Sequence, residues 1–169
     1  MRSWNTLACA LAVAAITPVP GPVWDGEDGD LARQLRSAVQ PLLSPSPGDA
    51  SGTRSLVEIL GIATRAAERA DLPGGVAAKL GKAHAAWRRS PEEMPDAGVA
   101  GALGEVYAAL HGGRRFAFPS GVRTIDQARE VCRREIDGAA AALEAGRRGE
   151  ATRGMLEFVM LVTTPMEAQ

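Results

Sequence analysis

The sequence predicts an all-α fold, an antiparallel bundle of five to six helices that follows an N-terminal signal-like segment. Three observations predict it. Apolar residues recur at three- and four-residue steps along most of the chain after residue 24. Proline- and glycine-bearing breakers cut that pattern into pieces of helical length. Strand-like alternation of useful length does not occur. With 169 residues, 46% hydrophobic and 23% charged, the chain has the balance of one globular domain. Aromatics make up only 4%, so the expected core is Ala, Leu, Val and Met, and 31 alanines permit close helix approach.

Residues 1–24 stand apart. Arg2, an apolar run from Leu7 to Ile16, and a breaker with Pro18, Pro20 and Pro22 follow the three-part order of a secretory signal. The apolar run is too short for a bilayer, which takes about 20 residues of helix. Residues 25–169 are then the single bundle domain, and the expected location is exported, periplasmic or secreted. No cleavage site stands out, because Thr17 and Gly21 each precede a proline. The small residues before Cys9 come too early for a lipoprotein signal.

The first helix carries Leu31, Leu35, Ala38, Val39 and Leu42 after an acidic patch, with Pro41 near its end and a breaker over 44–48. The second is expected to begin near Thr53, because Ser55 and Glu58 have capping-box spacing; Leu56, Leu60, Ala63, Ala67 and Ala70 line its face. Pro73 suits a first helical turn, so a third helix is predicted from there to Arg89, with Val76, Leu80, Ala83 and Trp87 inward. After Pro91 and Pro95, Asp96 can cap a fourth helix bearing Val99, Leu103, Val106 and Leu110, which Gly112 and Gly113 stop. Residues 114–122 read as a loop. Thr124 and Gln127 form a second capping box, opening a long helix with Ala128, Cys132, Ile136, Ala139 and Leu143 on one stripe. A reversal at Gly146 leads to the last helix, with Ala151, Met155, Val159 and Val162, closed by Pro165. Its stretch 155–162 is the most hydrophobic after the signal-like segment. It is expected to be a buried helix or a face that docks a partner.

Composition and motifs exclude several function classes. Basic and acidic residues number 19 and 20, and no basic block occurs, so nucleic acid is not an expected partner. The basic set is 17 Arg and two Lys, which fits a GC-rich coding genome, as does the Ala and Gly content. With Cys9 in the signal-like segment, the mature chain keeps one cysteine and no internal disulfide. The spacings of zinc sites, covalent haem, di-iron bundles and phosphate loops are missing, so no cofactor is expected. Cys132 sits between Ala128 and Ile136, an apolar setting that quiets a thiol. Glu135 can face inward beside it, whereas Glu92 and Glu93 read as solvated.

The most unusual segment is 114–121. Arg114 and Arg115 beside Phe116 and Phe118 offer guanidinium and ring contacts for an anion or a stacked ring, and Tyr107 on the preceding helix can join them. In the plainer reading the two phenylalanines plug the bundle end. The sequence thus predicts a non-catalytic, exported bacterial bundle that binds a protein or small ligand through this loop, with no stable transmembrane span. Catalysis has no recognisable nucleophile–base pair behind it. The alternative is a bundle holding haem or metal through His84 or His111, with Met155 or Met160 as a further ligand.

Overall fold

A computed structural model describes residues 26–43 and 49–165. The signal-like segment and the 44–48 breaker lie outside the described residues. Six helices make up the fold: α1 Glu27–Leu43, α2 Asp49–Ala67, α3 Val76–Trp87, α4 Ala97–Leu110, α5 Ile125–Glu144 and α6 Arg148–Thr163. No strand occurs among the described residues. The chain is an all-α bundle, and no described helix is long and apolar enough to cross a membrane.

The helices form two four-helix cells with a common wall. One cell is the ring α1, α2, α6 and α5; the other is α2, α3, α4 and α6. Side-chain contacts fix the directions. Arg65 of α2 donates to Gln34 of α1, so the end of α2 meets the early part of α1. Gly61 and Gly81 face His84 and Thr64, respectively, so α2 and α3 run in opposite directions. Lys79 reaches Glu105 at 2.9 Å between α3 and α4, and Arg36 pairs with Glu144 between α1 and α5.

The shared wall explains the apolar last helix. Met155, Leu156 and the five residues from Phe158 to Val162 are all buried. A helix with neighbours on several sides has to be apolar nearly all round. Phe158 is the largest of the chain's fully buried side chains, a burial worth roughly 1.5–3 kcal/mol. Of the sequence's two options for this stretch, the buried helix is the one found. In α2, Ile59, Leu60, Ile62 and Ala63 take the matching role. Two buried hydroxyls are paired within their own helices: Thr64 donates to the Leu60 carbonyl and Thr152 to that of Arg148, both at 2.9 Å.

Local signals set most helix ends. Asp96 accepts from the Val99 N–H at 2.8 Å and starts α4. Thr124 and Gln127 form the expected reciprocal cap on α5. Gly112 and Gly113 take positive φ of 64° and 83°, and the Gly113 N–H closes on the Ala108 carbonyl at 2.7 Å. Gly146, at φ 70°, ends α5 in the same way.

Two expected starts are corrected. α2 begins at Asp49 rather than near Thr53, and Ser55 is a buried residue inside the helix rather than its cap. The Ser55 and Glu58 spacing falls inside a helix already under way from Asp49, which runs on through Gly52. α3 begins at Val76 rather than Pro73: Gly75 at φ 83° is the residue that turns the chain into the helix. It also ends at Trp87, two residues short of Arg89. The buried Trp87 indole donates to the Glu93 carbonyl at 2.8 Å, folding the breaker back under the helix end.

Candidate functional site

Tyr107, Phe116 and Phe118, three of the residues singled out from sequence, come together. Tyr107 is buried on the last turn of α4. Phe116 meets it edge-on, with ring centroids 5.3 Å apart at 87°, and Phe118 meets Phe116 at 5.7 Å and 68°. Both phenylalanines pack against the core. Arg114 and Arg115 are exposed. Arg114 acts electrostatically on Tyr107 and His111, while Arg115 forms no ion pair among the described residues. The ring half of the predicted site is therefore assembled, and the guanidinium half points into solvent.

The same junction holds His111, the sequence's alternative haem or metal ligand, together with Glu135 and with Glu157, which the sequence left aside. His111, one turn beyond Tyr107, is the C-cap of α4, and its ring stacks on Tyr107 at 4.1 Å and 15°. Glu157, on the flank of α6 that faces α4, lies near enough to the Tyr107 hydroxyl for its charge to act on it. It lies 3.7 Å from His111 Nε2, too far for a hydrogen bond, and that nitrogen is buried without a partner. Glu135 approaches from α5, where the charge of Glu157 acts on it. Its nearest cation is Arg134, with Nε at 3.8 Å.

Gly154 marks a close approach of α5 and α6. A Cβ on Gly154 would lie 3.2 Å from both the Ala139 Cβ and the Glu135 carbonyl oxygen. A side chain there would have to push these neighbours back by a few tenths of an ångström, so glycine suits the close crossing of α5 and α6. Glu135 and Glu157 flank that crossing on their respective helices.

The electrostatics follow from half-burial with few counter-charges. Desolvation first, then the charge of Glu157, raises the Glu135 pKa. Desolvation likewise raises that of Glu157, and the nearby Tyr107 hydroxyl offsets part of this. The Tyr107 hydroxyl is raised by burial and then by the Glu157 charge. His111 is lowered by burial, then by Arg153 and Arg114. At the C-cap of α4 a cation would suit the helix dipole, but burial outweighs that. Cys132, fully buried beside Glu135, is pushed up to about 12 by desolvation, and its thiol is quiet as the apolar stripe implied.

His84 lies elsewhere. Its imidazole fills the space left by Gly61 on α2, where a Cβ would come within 2.9 Å of Nε2. Its charged neighbours are Arg88 and Arg65, and it shares none of those of His111. Met155 and Met160 are buried in the core. Among the described residues no group of three or more His, Cys, Asp or Glu is placed to hold a metal ion.

Glu157 is the main residue that sequence reasoning missed. The signal was present: it is the only charged residue in the apolar stretch 155–162. A lone carboxylate on a helix that must be buried needs a partner. Compared with known protein families, curated proteins and solved structures, the chain matches none of them. The class is therefore set by the fold alone: an all-α bundle of two joined four-helix cells, with a half-buried aromatic and carboxylate site on one flank.

Proposed function

We propose that the protein is a non-catalytic binding protein whose site is the junction of α4, α5, α6 and the 111–124 loop. The ligand it suits is small and carries a cationic or strongly hydrogen-bond-donating group beside an apolar body. One observation carries this reading: two half-buried carboxylates, Glu135 and Glu157, lie on the helices that meet at the Gly154 crossing, near the rings of Tyr107 and Phe116, and the only guanidinium paired with either among the described residues is Arg134, at 3.8 Å from Glu135. An ammonium group would relieve their mutual repulsion, and the rings would take its apolar part. Export of the mature chain belongs to the same proposal and is supported by the order of residues 1–24.

The test is a titration with two probes of one shape and opposite charge, phenethylammonium and phenylacetate, read on the ring resonances of Tyr107 and His111. The expected result is a saturable shift with the amine only, abolished in Glu157→Gln. A shift with the acid alone, lost when Arg114 and Arg115 become alanine, would return the site to the anion reading of the loop. The haem or metal alternative draws its support from the unbonded Nε2 of His111. A Soret band or stoichiometric metal in protein from its own host would favour it.

A further inference from the structure

We infer that His111 and Glu157 together form a two-acceptor seat for a single N–H-bearing nitrogen, so that the ligand's head group is a primary ammonium and a fully methylated one is refused. This names the ligand class of the junction and rests on the binding function proposed above.

The seat is set by distance. His111 Nε2 lies 3.7 Å from Glu157 Oε2, too far for a hydrogen bond between the two. A nitrogen placed between them reaches each at about 2.9 Å, the ordinary length of such a bond. Among the described residues, His111 Nε2 and Arg129 Nε are the buried side-chain polar atoms without a partner. Arg129 still binds Asp126 through Nη1 at 2.6 Å. For His111 Nε2 the one polar atom recorded within 4 Å is that of Glu157, and an unpaired buried nitrogen is costly. The imidazole is also held in place. Its ring stacks on Tyr107 at 4.1 Å and 15°, and Phe116 braces Tyr107 edge-on. Its backbone N–H closes α4 on the Tyr107 and Ala108 carbonyls at 3.0 and 3.2 Å. An acceptor fixed in this way binds without first having to be ordered.

The chemistry of the two groups selects the head group. A neutral imidazole carries one N–H and one lone pair. Burial, then Arg153 and Arg114, keep His111 neutral by holding it below its ordinary value. Nδ1 is not one of the buried unpartnered atoms, so it can carry the proton and leave the lone pair on Nε2. Glu157 supplies the opposite charge. Arg114 and Arg153 are exposed, whereas the Glu157 side chain keeps 20% of its exposure, so water screens the carboxylate least. A primary ammonium has hydrogens for both acceptors. A quaternary one has none, and its methyl groups hold the nitrogen beyond hydrogen-bond reach. Its usual refuge is the face of an aromatic ring, and the Tyr107 face beside the seat is covered by His111.

The experiment titrates the full chain at neutral pH with phenethylammonium and with its N,N,N-trimethyl derivative, read on the ring resonances of Tyr107, the chain's single tyrosine. The primary ammonium should bind about tenfold more tightly or better, as one charge-assisted hydrogen bond implies. His111→Phe keeps a stacked ring and removes both nitrogens. It should weaken the primary ammonium by about tenfold, leave the trimethyl probe unchanged and so erase the preference. Equal affinities in the wild type, or a preference that survives in His111→Phe, would overturn the seat while the cationic reading of the junction stands. Saturable binding of neither probe would overturn both. Should His111→Phe lose helicity, the comparison of the two probes in the wild type still decides.

Discussion

The two cells share one wall and differ in what they bury. The α1 and α5 cell closes with apolar side chains inside and ion pairs at its margin. Arg148 grips Asp28 at 2.6 Å, Arg36 pairs with Glu144, and Arg69 pairs with Glu27. The α3 and α4 cell, with its seam to α5, buries polar and titratable groups instead: His84 against Gly61, and the Tyr107, His111 and Glu157 set beside Glu135. A cell closed by oil and surface charge needs only volume to match. A cell that buries titratable groups also needs their protonation to match, which makes it the more sensitive to pH.

The most damaging way to test this contrast is to break the wall common to both cells. Phe158→Ala should lower stability by about 3–5 kcal/mol in urea denaturation, and both cells should melt in one transition. Two transitions would show the cells to be independent folding units. Next come the two close crossings. Gly61→Ala and Gly154→Ala should each lose about 1–3 kcal/mol. In the first the obstacle is the tip of His84, so His84→Ala in the same chain should restore most of the loss. In the second the obstacles are Ala139 and the Glu135 backbone, so Glu135→Gln should restore none. Thr124→Ala removes a cap that only α5 uses and should cost about 1 kcal/mol.

The acid limb of stability separates the cells more finely. His84 and His111 both sit below the ordinary imidazole value of 6.5 in the fold, His84 through burial and then Arg88 and Arg65. The unfolded chain therefore takes up their protons first, and stability falls as pH drops below that value. Glu135 and Glu157, raised above 4.5, work the other way: their protonated forms favour the fold, and stability falls as pH rises through their folded values. Denaturation midpoints against pH should show a shallower acid loss in His84→Gln, and a flatter approach to neutral pH in Glu135→Gln. The smallest effect belongs to the exposed pair of Arg54 and Glu92, where Arg54→Ala should change stability by less than about 0.5 kcal/mol.

Helices were legible in the sequence because a 3.6-residue period and local stop signals are near-neighbour information. Asp96, Thr124, Gly112 and Gly146 act within a few residues of themselves, and each did what the sequence implied. The start of α2 was misplaced because a capping box is a spacing, and a helix already under way satisfies it without using it. The site was half legible. Phe116, Phe118 and Tyr107 are close along the chain, so their meeting could be expected. Glu157 and Glu135 reach them only because α6 packs between α4 and α5, and no local pattern states which helices become neighbours. The arginines misled for a related reason: they precede the rings in sequence, yet the exposed side of the loop is where long charged side chains are best solvated.

The shared wall also orders the events of folding. α2 and α6 face each other across the fold but are separated along the chain by α3, α4 and α5. During synthesis, α1 to α5 emerge with both cells lacking one side, and the apolar faces meant for Met155 to Val162 stay in water. Closure of either cell waits for the last helix, and then both close on the same surface. The α2–α6 and α1–α5 contacts join helices distant along the chain, and closing them slows folding relative to a simple up-and-down bundle. A nascent chain in this state offers exposed apolar surface to whatever factor holds it.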